Sequence, residues 1–335
     1  MKHINVALFV VHKGCPHTCS FCNQKSITGE SGNVTPRDVE SAVQVALKSM
    51  NDLSRSEGEI AFFGGSFTMV ERNYMISLLE AAFEYVKKGC FKGIRISTRP
   101  DGINDEICEI LKKYGVSAVE LGAQSLDDRV LELNERGHTA RQVEQAVAML
   151  KSYGFEVGLQ MMTGLYGSQD EDSIETAKKI IAMEPETVRI YPTVVLKDSK
   201  LDYLMRTGEF VPKGIEETVE LCAKLIPMFE NAGIKIIRVG LHSGGDVENN
   251  MVGGAFHPAL RELCEGRIFR DKAATLLSKK PKGEYTLYVG KGCVSKMTGQ
   301  HRCNLSYLED KGYVCTVKEN PCETRSEIRY DIKIN

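Results

Sequence analysis

At 335 residues and 37.2 kDa, with 42% hydrophobic and 26% charged residues, the chain can bury one large or two ordinary cores, which excludes a disordered tail or a membrane protein. The longest stretch without a charged side chain, Val157–Gln169, is too short to span a bilayer. The N-terminal run has no small-residue cleavage site, so a soluble, cytoplasmic protein with no membrane partner is expected. The net charge is only −2, but there are eleven cysteines, and in a cytosolic chain of this size clustered thiols bind metal or do redox chemistry.

Short apolar runs alternate with helical patterns along the first two thirds of the chain. Ile4 to Val11 reads as a buried strand, followed by Ile60–Phe63, Ile94–Ser97, Ala118–Leu121, Val157–Met161, Val188–Tyr191 and Ile234–Val239. The helices between them have legible ends. Thr35-Pro36 opens one, and Asn104 opens another, whose Ile107, Ile110, Leu111 and Tyr114 share a face before Gly115 stops it. Thr139 with Gln142, and Ser168 with Glu171, read as capping boxes. The last of these helices carries Val219, Leu225, Ile226 and Phe229 up to Gly233.

Repeated strand–helix units imply a parallel sheet, and six or seven of them imply an α/β fold of the partial (β/α)6, TIM-like kind. Reactive residues follow the strands, on the face where barrel enzymes keep their sites. They are Cys15 after the first strand, Gly64-Gly65-Ser66 after the second and Thr98-Arg99-Pro100-Asp101 after the third. Gln124-Ser125 closes the fourth, Gln160 lies on the fifth, and Arg189 and Tyr191 on the sixth. A structural protein has no need of that pattern.

Residues 1–240 are therefore expected to form the barrel, and 241–335 a small α/β domain. From Gly266 to Arg302 there are nine Lys/Arg against Asp271 and Glu284, a local net of +7, which leaves about −9 for the rest of the chain. Such segregation is the footprint of a polyanion-binding surface, although a solvated lysine face has the same composition.

The segment Gly14-Cys15-Pro16-His17-Thr18-Cys19-Ser20-Phe21-Cys22-Asn23-Gln24 carries the chemistry. Three thiols at spacings of four and three converge on one centre, and thiolates suit zinc or iron–sulfur clusters. A structural zinc needs a fourth ligand, which His17 could supply only awkwardly from inside the loop. Three cysteines without a fourth point instead to a 4Fe-4S cluster with one iron left open.

This motif, directly after the first strand of a partial barrel, resembles the radical S-adenosylmethionine superfamily. The resemblance implies that Cys15, Cys19 and Cys22 hold a 4Fe-4S cluster whose open iron chelates S-adenosylmethionine. Reductive cleavage would then yield a 5′-deoxyadenosyl radical that abstracts a substrate hydrogen, with an electron donor such as flavodoxin or ferredoxin. Phe21 matches the aromatic residue usual before the third cysteine. Phe63-Gly64-Gly65-Ser66-Phe67 is similar to the glycine-rich strand end that holds the methionine amino group, here with Ser66 where Glu or Thr is common. By the same resemblance Arg99, Gln124, Arg136 and Gln160 are cofactor contacts, Gln124 and Arg136 at the ribose or carboxylate. The phrases around residues 97–101 and 120–125 are similar to the Elongator catalytic subunit and to oxygen-independent coproporphyrinogen oxidase. His12-Lys13-Gly14-Cys15-Pro16-His17, Arg189-Ile190-Tyr191-Pro192 and the basic tail favour the Elongator-like branch. Relatives there modify a tRNA wobble uridine and continue into an acetyltransferase domain, for which this sequence is expected to have no room.

RNA, tRNA foremost, is thus the expected partner, against a porphyrinogen-like small molecule or, in another class, a zinc-holding RNA-binding module without catalysis. Cys264, Cys293, Cys303, Cys315 and Cys322 lack any C-x-x-C spacing and read as small hydrophobes rather than a second cluster. Gly240 to Pro258, with His242 and His257, is expected to form a lid or substrate loop.

Overall fold

The computed structural model describes residues 5–10, 15–16, 18–23, 33–49, 58–241, 247–320 and 332–334. Its packing divides the chain into two compact units, one of residues 1–213 and 228–256, the other of 214–227 and 257–335.

The first unit holds a seven-stranded parallel sheet in sequential order. Its strands are β1 (Asn5–Val10), β2 (Glu59–Gly64), β3 (Gly93–Thr98), β4 (Val116–Gln124), β5 (Glu156–Thr163), β6 (Thr187–Pro192) and, last in the sheet, β8 (Lys235–Val239). No pairing closes β8 on β1 among the described residues, so this is a partial barrel with one strand more than six units require. The expected strands lie where the apolar runs are. Between them run α1 (Pro36–Ser49), α2 (Arg72–Lys87), α3 (Asp105–Lys113), α4 (Asp128–Leu133), α5 (Ala140–Ser152) and α6 (Asp170–Ala182).

The two faces of the sheet differ in chemistry. Ile60, Phe62, Ile94, Ile96, Val119, Leu121, Val157, Leu159, Val188 and Ile190 are buried, the apolar half of the alternation that a sheet covered by helices shows. The alternate positions include Glu59, Arg95, Ser97, Glu120, Gln160 and Arg189, and these meet in one network. Arg95 pairs with Glu59 and Glu156, each at 2.7 Å, and Arg189 grips Glu120 with two bonds of 2.6 and 2.8 Å. Gly158 is required beside it, since a Cβ there would stand 2.7 Å from Thr187 Oγ1 and 3.0 Å from Glu120 Cγ.

Helix ends follow the local chemistry. Asn104 accepts from Ile107 N at 2.9 Å and Gly115 takes φ +70° behind α3, while Thr139 and Gln142 form the expected capping box of α5. The box expected from Ser168 and Glu171 lies one residue later: Asp172 accepts from Gln169 N at 2.8 Å, because the Ser168 hydroxyl is engaged by Leu165 O in the preceding turn.

The first unit runs to Phe256, beyond the boundary expected at residue 240, because β9 (Met251–Gly254) pairs antiparallel with β7 (Val194–Leu196). The stretch expected as a lid is therefore partly strand. Gly254, at φ +88°, has Thr193 O where a Cβ would come within 2.5 Å. His257 Nδ1 accepts from Ala259 N, and His242 lies outside the described residues. Also in this unit is α7 (Lys200–Arg206). The helix α8 (Ile215–Asn231) contributes its first part to the second unit and its last turn to the first, the division falling at its internal Pro227. A single helical turn, α9 (Val247–Asn250), precedes β9.

The second unit contains α10 (Leu260–Leu277), β10 (Gly283–Val289), α11 (Val294–Thr298), α12 (Cys303–Asp310), β11 (Tyr313–Glu319) and β12 (Ile332–Ile334). Its three-stranded sheet has the order β11-β10-β12, parallel between β10 and β11 and antiparallel between β10 and β12. The 18-residue α10 has no counterpart in the sequence expectations. Among the described residues, no helix is long and apolar enough to cross a membrane.

Candidate active site

The strand ends of the first unit converge on the cysteine loop. Gly64 ends β2 at φ +111°, and a Cβ on it would meet Val10 O at 2.7 Å, so only glycine allows β2 to turn this closely over β1. Gly65 N then donates to Val10 O at 3.0 Å. The turn delivers the buried Ser66 hydroxyl to within 3.5 Å of Cys15 Sγ.

Cys19 and Cys22 lie on a tight turn closed by Cys22 N donating to Cys19 O at 3.0 Å. Residues 20–23 are fastened at four points. Ser20 N donates to Asn134 O, Ser20 Oγ donates to Asn134 Oδ1 at 2.8 Å, Leu201 N donates to Ser20 O, and Asn23 Nδ2 donates to Lys197 O. Asn134, just past α4, is itself locked by donating to Val130 O and Tyr166 O. Phe21 packs against the cluster of Val195, Leu201, Leu204 and Phe210.

Arg136 is the hinge of the site. One guanidinium nitrogen donates to Cys19 Sγ at 3.1 Å, another to Gly122 O at 2.6 Å, and the guanidinium carbon lies 6.0 Å from the centre of the Phe21 ring. The guanidinium thus stands in hydrogen-bond contact with a buried sulfur of the expected cluster ligands. Gly122 spares the room that Arg136 and Gln124 occupy. Gln124 closes β4 in the left-handed region, φ +65°, and its Oε1 is buried without a hydrogen-bond partner. For a non-glycine residue this backbone is strained, and the orphaned oxygen is an acceptor waiting for a donor.

The other expected contacts stand elsewhere in the local bonding. Arg99 is buried in a bidentate pair with Asp101, at 2.9 and 3.0 Å. Gln160 directs its Nε2 to Glu120 Oε2 and Ser97 Oγ, inside the buried network. Thus Cys15 with Ser66, and Cys19 with Arg136, Phe21, Gly122 and the neighbouring Gln124, are brought together, whereas Arg99 is paired with Asp101 and Gln160 lies in the buried network.

Sequence reasoning missed Ser20, Asn134 and His138. His138 is buried, its Nε2 is 3.2 Å from Ala123 O and its Nδ1 has no partner. Burial first, then the nearby Arg136 and Arg99 charges, push its pKa down to about 4, so the ring is neutral near pH 7. Its only sequence signal is the two-residue spacing from Arg136.

The donors fit an iron–sulfur cluster in kind: three thiols on one short loop, one sulfur against a guanidinium and one against a buried hydroxyl. Among the described residues no three His, Cys, Asp or Glu side chains are grouped as a ready metal cage, and His17 lies outside those residues. Of the other cysteines, Cys264 is buried in α10, Cys303 is exposed and Cys322 lies outside the described residues.

A partial parallel barrel with a three-cysteine loop at the carboxyl end of its first strand defines a class of metal-dependent α/β enzymes. Comparison with known proteins gives the family. The Radical SAM superfamily profile matches residues 9–180, and that of the Radical_SAM C-terminal domain matches residues 185–270. The chain belongs to the radical SAM superfamily, enzymes whose cofactors are a 4Fe-4S cluster and S-adenosylmethionine. A tRNA uridine(34) acetyltransferase of Dehalococcoides mccartyi is 26% identical over 240 residues, covering 62% of this chain and 52% of that protein. An uncharacterised protein of Methanocaldococcus jannaschii is 28% identical over 209 residues, 59% of this chain and 63% of that one. The chain thus spans about half to two thirds of these relatives' lengths. In fold it is similar to the archaeal Elp3 of Methanocaldococcus infernus, with a TM-score of 0.60 and 20% identity over 83% of this chain and 65% of that one.

Proposed function

We propose that this chain is a radical S-adenosylmethionine enzyme that modifies RNA, with tRNA as the leading substrate. The observation that carries the first half is the contact of Arg136 with Cys19, which ties the cysteine loop to the end of β4. Cys15, Cys19 and Cys22 would hold the cluster, with Gly64, Gly65, Ser66, Gln124 and Arg136 facing the cofactor. When bound, the cluster supplies the electron that cleaves S-adenosylmethionine to a 5′-deoxyadenosyl radical able to take a substrate hydrogen atom.

The residues of the chain do the rest. Ser20 and Asn134 fix the loop, Arg136 holds positive charge against the sulfur, and Gln124 offers an acceptor for a hydroxyl or amino group. The buried network of Glu59, Arg95, Glu120, Gln160 and Arg189 fills the interior below, which keeps solvent from the reacting end. The tRNA half rests on the tRNA uridine(34) acetyltransferase among the relatives and on the basic segment Gly266–Arg302. Arg99 and Gln160 belong to the same proposal as outer residues that reach the cofactor through a change of partner.

The test is anaerobic reconstitution with iron and sulfide, then addition of S-adenosylmethionine and dithionite. A brown protein that forms 5′-deoxyadenosine, with turnover stimulated by bulk tRNA, is expected. A colourless zinc protein that forms none would overturn the reading, and turnover indifferent to tRNA would remove its substrate half. The Cys19→Ala variant is expected to lose cluster and cleavage together.

A further inference from the structure

The second unit contains a module for which the radical chemistry has no use. The strand β10 leads through two short helices, α11 and α12, into β11, which lies beside β10 and parallel to it, and β12 lies antiparallel on the other side. Asn304 fixes both helices to α10, donating to Gly266 O at 2.9 Å and to Lys296 O at 3.1 Å. Between α11 and α12 stands the four-residue loop Gly299-Gln300-His301-Arg302.

The loop is built to a demanding conformation. Gly299 takes φ +75°, and a Cβ there would meet Cys303 Sγ at 2.6 Å and Asn304 Cγ at 2.9 Å, so only glycine passes. His301 and Arg302 follow at φ +50° and +63°, two successive non-glycine residues in the left-handed region. Their side chains are exposed and, among the described residues, bonded to nothing. The surrounding charge is uncompensated as well. Arg267, Arg270 and Lys296 have acidic partners in Glu216, Asp271 and Glu265, whereas Lys279, Lys282, Lys291 and Arg302 have none among the described residues.

We propose that this module is a single-stranded RNA clamp, with Gly299–Arg302 gripping the phosphate backbone. A strand–helix–loop–helix–strand unit with a glycine-led tetrad between its helices is the arrangement by which KH domains hold four backbone nucleotides. Here the fourth position, a second glycine in that arrangement, is Arg302 in the glycine-like conformation. It adds a cation where the backbone passes. Phosphate contacts of this kind position a strand without reading its sequence, so the clamp supplies affinity and leaves choice of the target base to the first unit. The inference rests on RNA as the partner, but its residues lie in a different unit from the cysteine loop.

The experiment is a fluorescence-anisotropy titration of the full chain with a labelled single-stranded RNA dodecamer over a salt series. Wild-type protein is expected to bind with steep salt dependence. The double variant His301→Asp with Arg302→Asp is expected to bind at least tenfold more weakly, with unchanged thermal unfolding. Arg302→Gly, which removes the charge and suits the backbone, is expected to fold at least as well and to flatten the slope of log K against log salt by about 0.7, one single-strand phosphate contact. Tight wild-type binding that neither variant alters would overturn the clamp and leave RNA as the partner. No wild-type binding at low salt would overturn both, while formation of 5′-deoxyadenosine would still stand on its own assay.

Discussion

Arg136 and His138 show how few side chains set the character of the site. Arg136 donates to Cys19 Sγ and to Gly122 O, and a neighbour that orients a metal ligand is commonly worth about 10- to 100-fold in affinity or activity. Arg136→Gln is therefore expected to retain less iron after desalting and to form 5′-deoxyadenosine about 10- to 100-fold more slowly. Equal iron and equal rate would dismiss the contact as incidental. His138 gives a pH signature. Its folded pKa, about 4, lies below its unfolded value of 6.5, so as pH falls the unfolded chain takes the proton first. Stability is whole above about pH 6.5 and is lost as pH falls toward 4, by up to about 3 kcal/mol. Urea denaturation at about pH 7 and about pH 5 should show this loss in the wild type and a smaller one in His138→Gln.

At the scale of elements, the inner face of the sheet is held by charges and the outer face by hydrocarbon. Gly158→Ala would drive a methyl group toward Thr187 and Glu120; overpacking of this kind costs about 1–3 kcal/mol, readable as a lowered denaturation midpoint. Asn134→Ala would strand the Ser20 hydroxyl and the Tyr166 carbonyl, while Val130 O keeps the backbone N–H of residue 134, a loss of about 1–3 kcal/mol per buried group left unpaired. The outcome expected is faster iron release to a chelator than any fall in melting temperature explains. The strands were legible because their outer faces mostly repeat an apolar side chain at every second place, and the glycine pair at 64–65 announced its turn. The ion network was not legible, since Arg95, Glu120 and Arg189 meet only through strand register. Ser20 and Asn134 are joined across 114 positions, which no local pattern encodes. The helix α10 hid because Glu265 and Gly266 interrupt its buried face, the one paired with Lys296 and the other pressed against the Lys296 carbonyl.

For the whole molecule, the sharing of α8 decides what can be cut. Its residues 214–227 pack with the second unit, and Val219, Leu221, Cys222, Leu225 and Ile226 on that stretch are buried. A chain ending at Phe256 would keep every strand of the seven-stranded sheet and still uncover this face. It is expected to bind more of a hydrophobic dye and to aggregate more readily than the intact chain. A truncated protein that binds no more dye and aggregates no faster than the intact one would mean that the helix finds its cover within the barrel.

The discontinuity also imposes an order on synthesis. The ribosome releases residues 214–227 before β8 is made, and the elements that cover them follow only after Pro258. At about 5–20 residues per second, the 79 residues from 257 to 335 occupy roughly 4–16 s. For that interval the nascent chain carries a complete sheet beside a half-helix with nothing to lie on, and a chaperone that shields apolar stripes has its natural moment there.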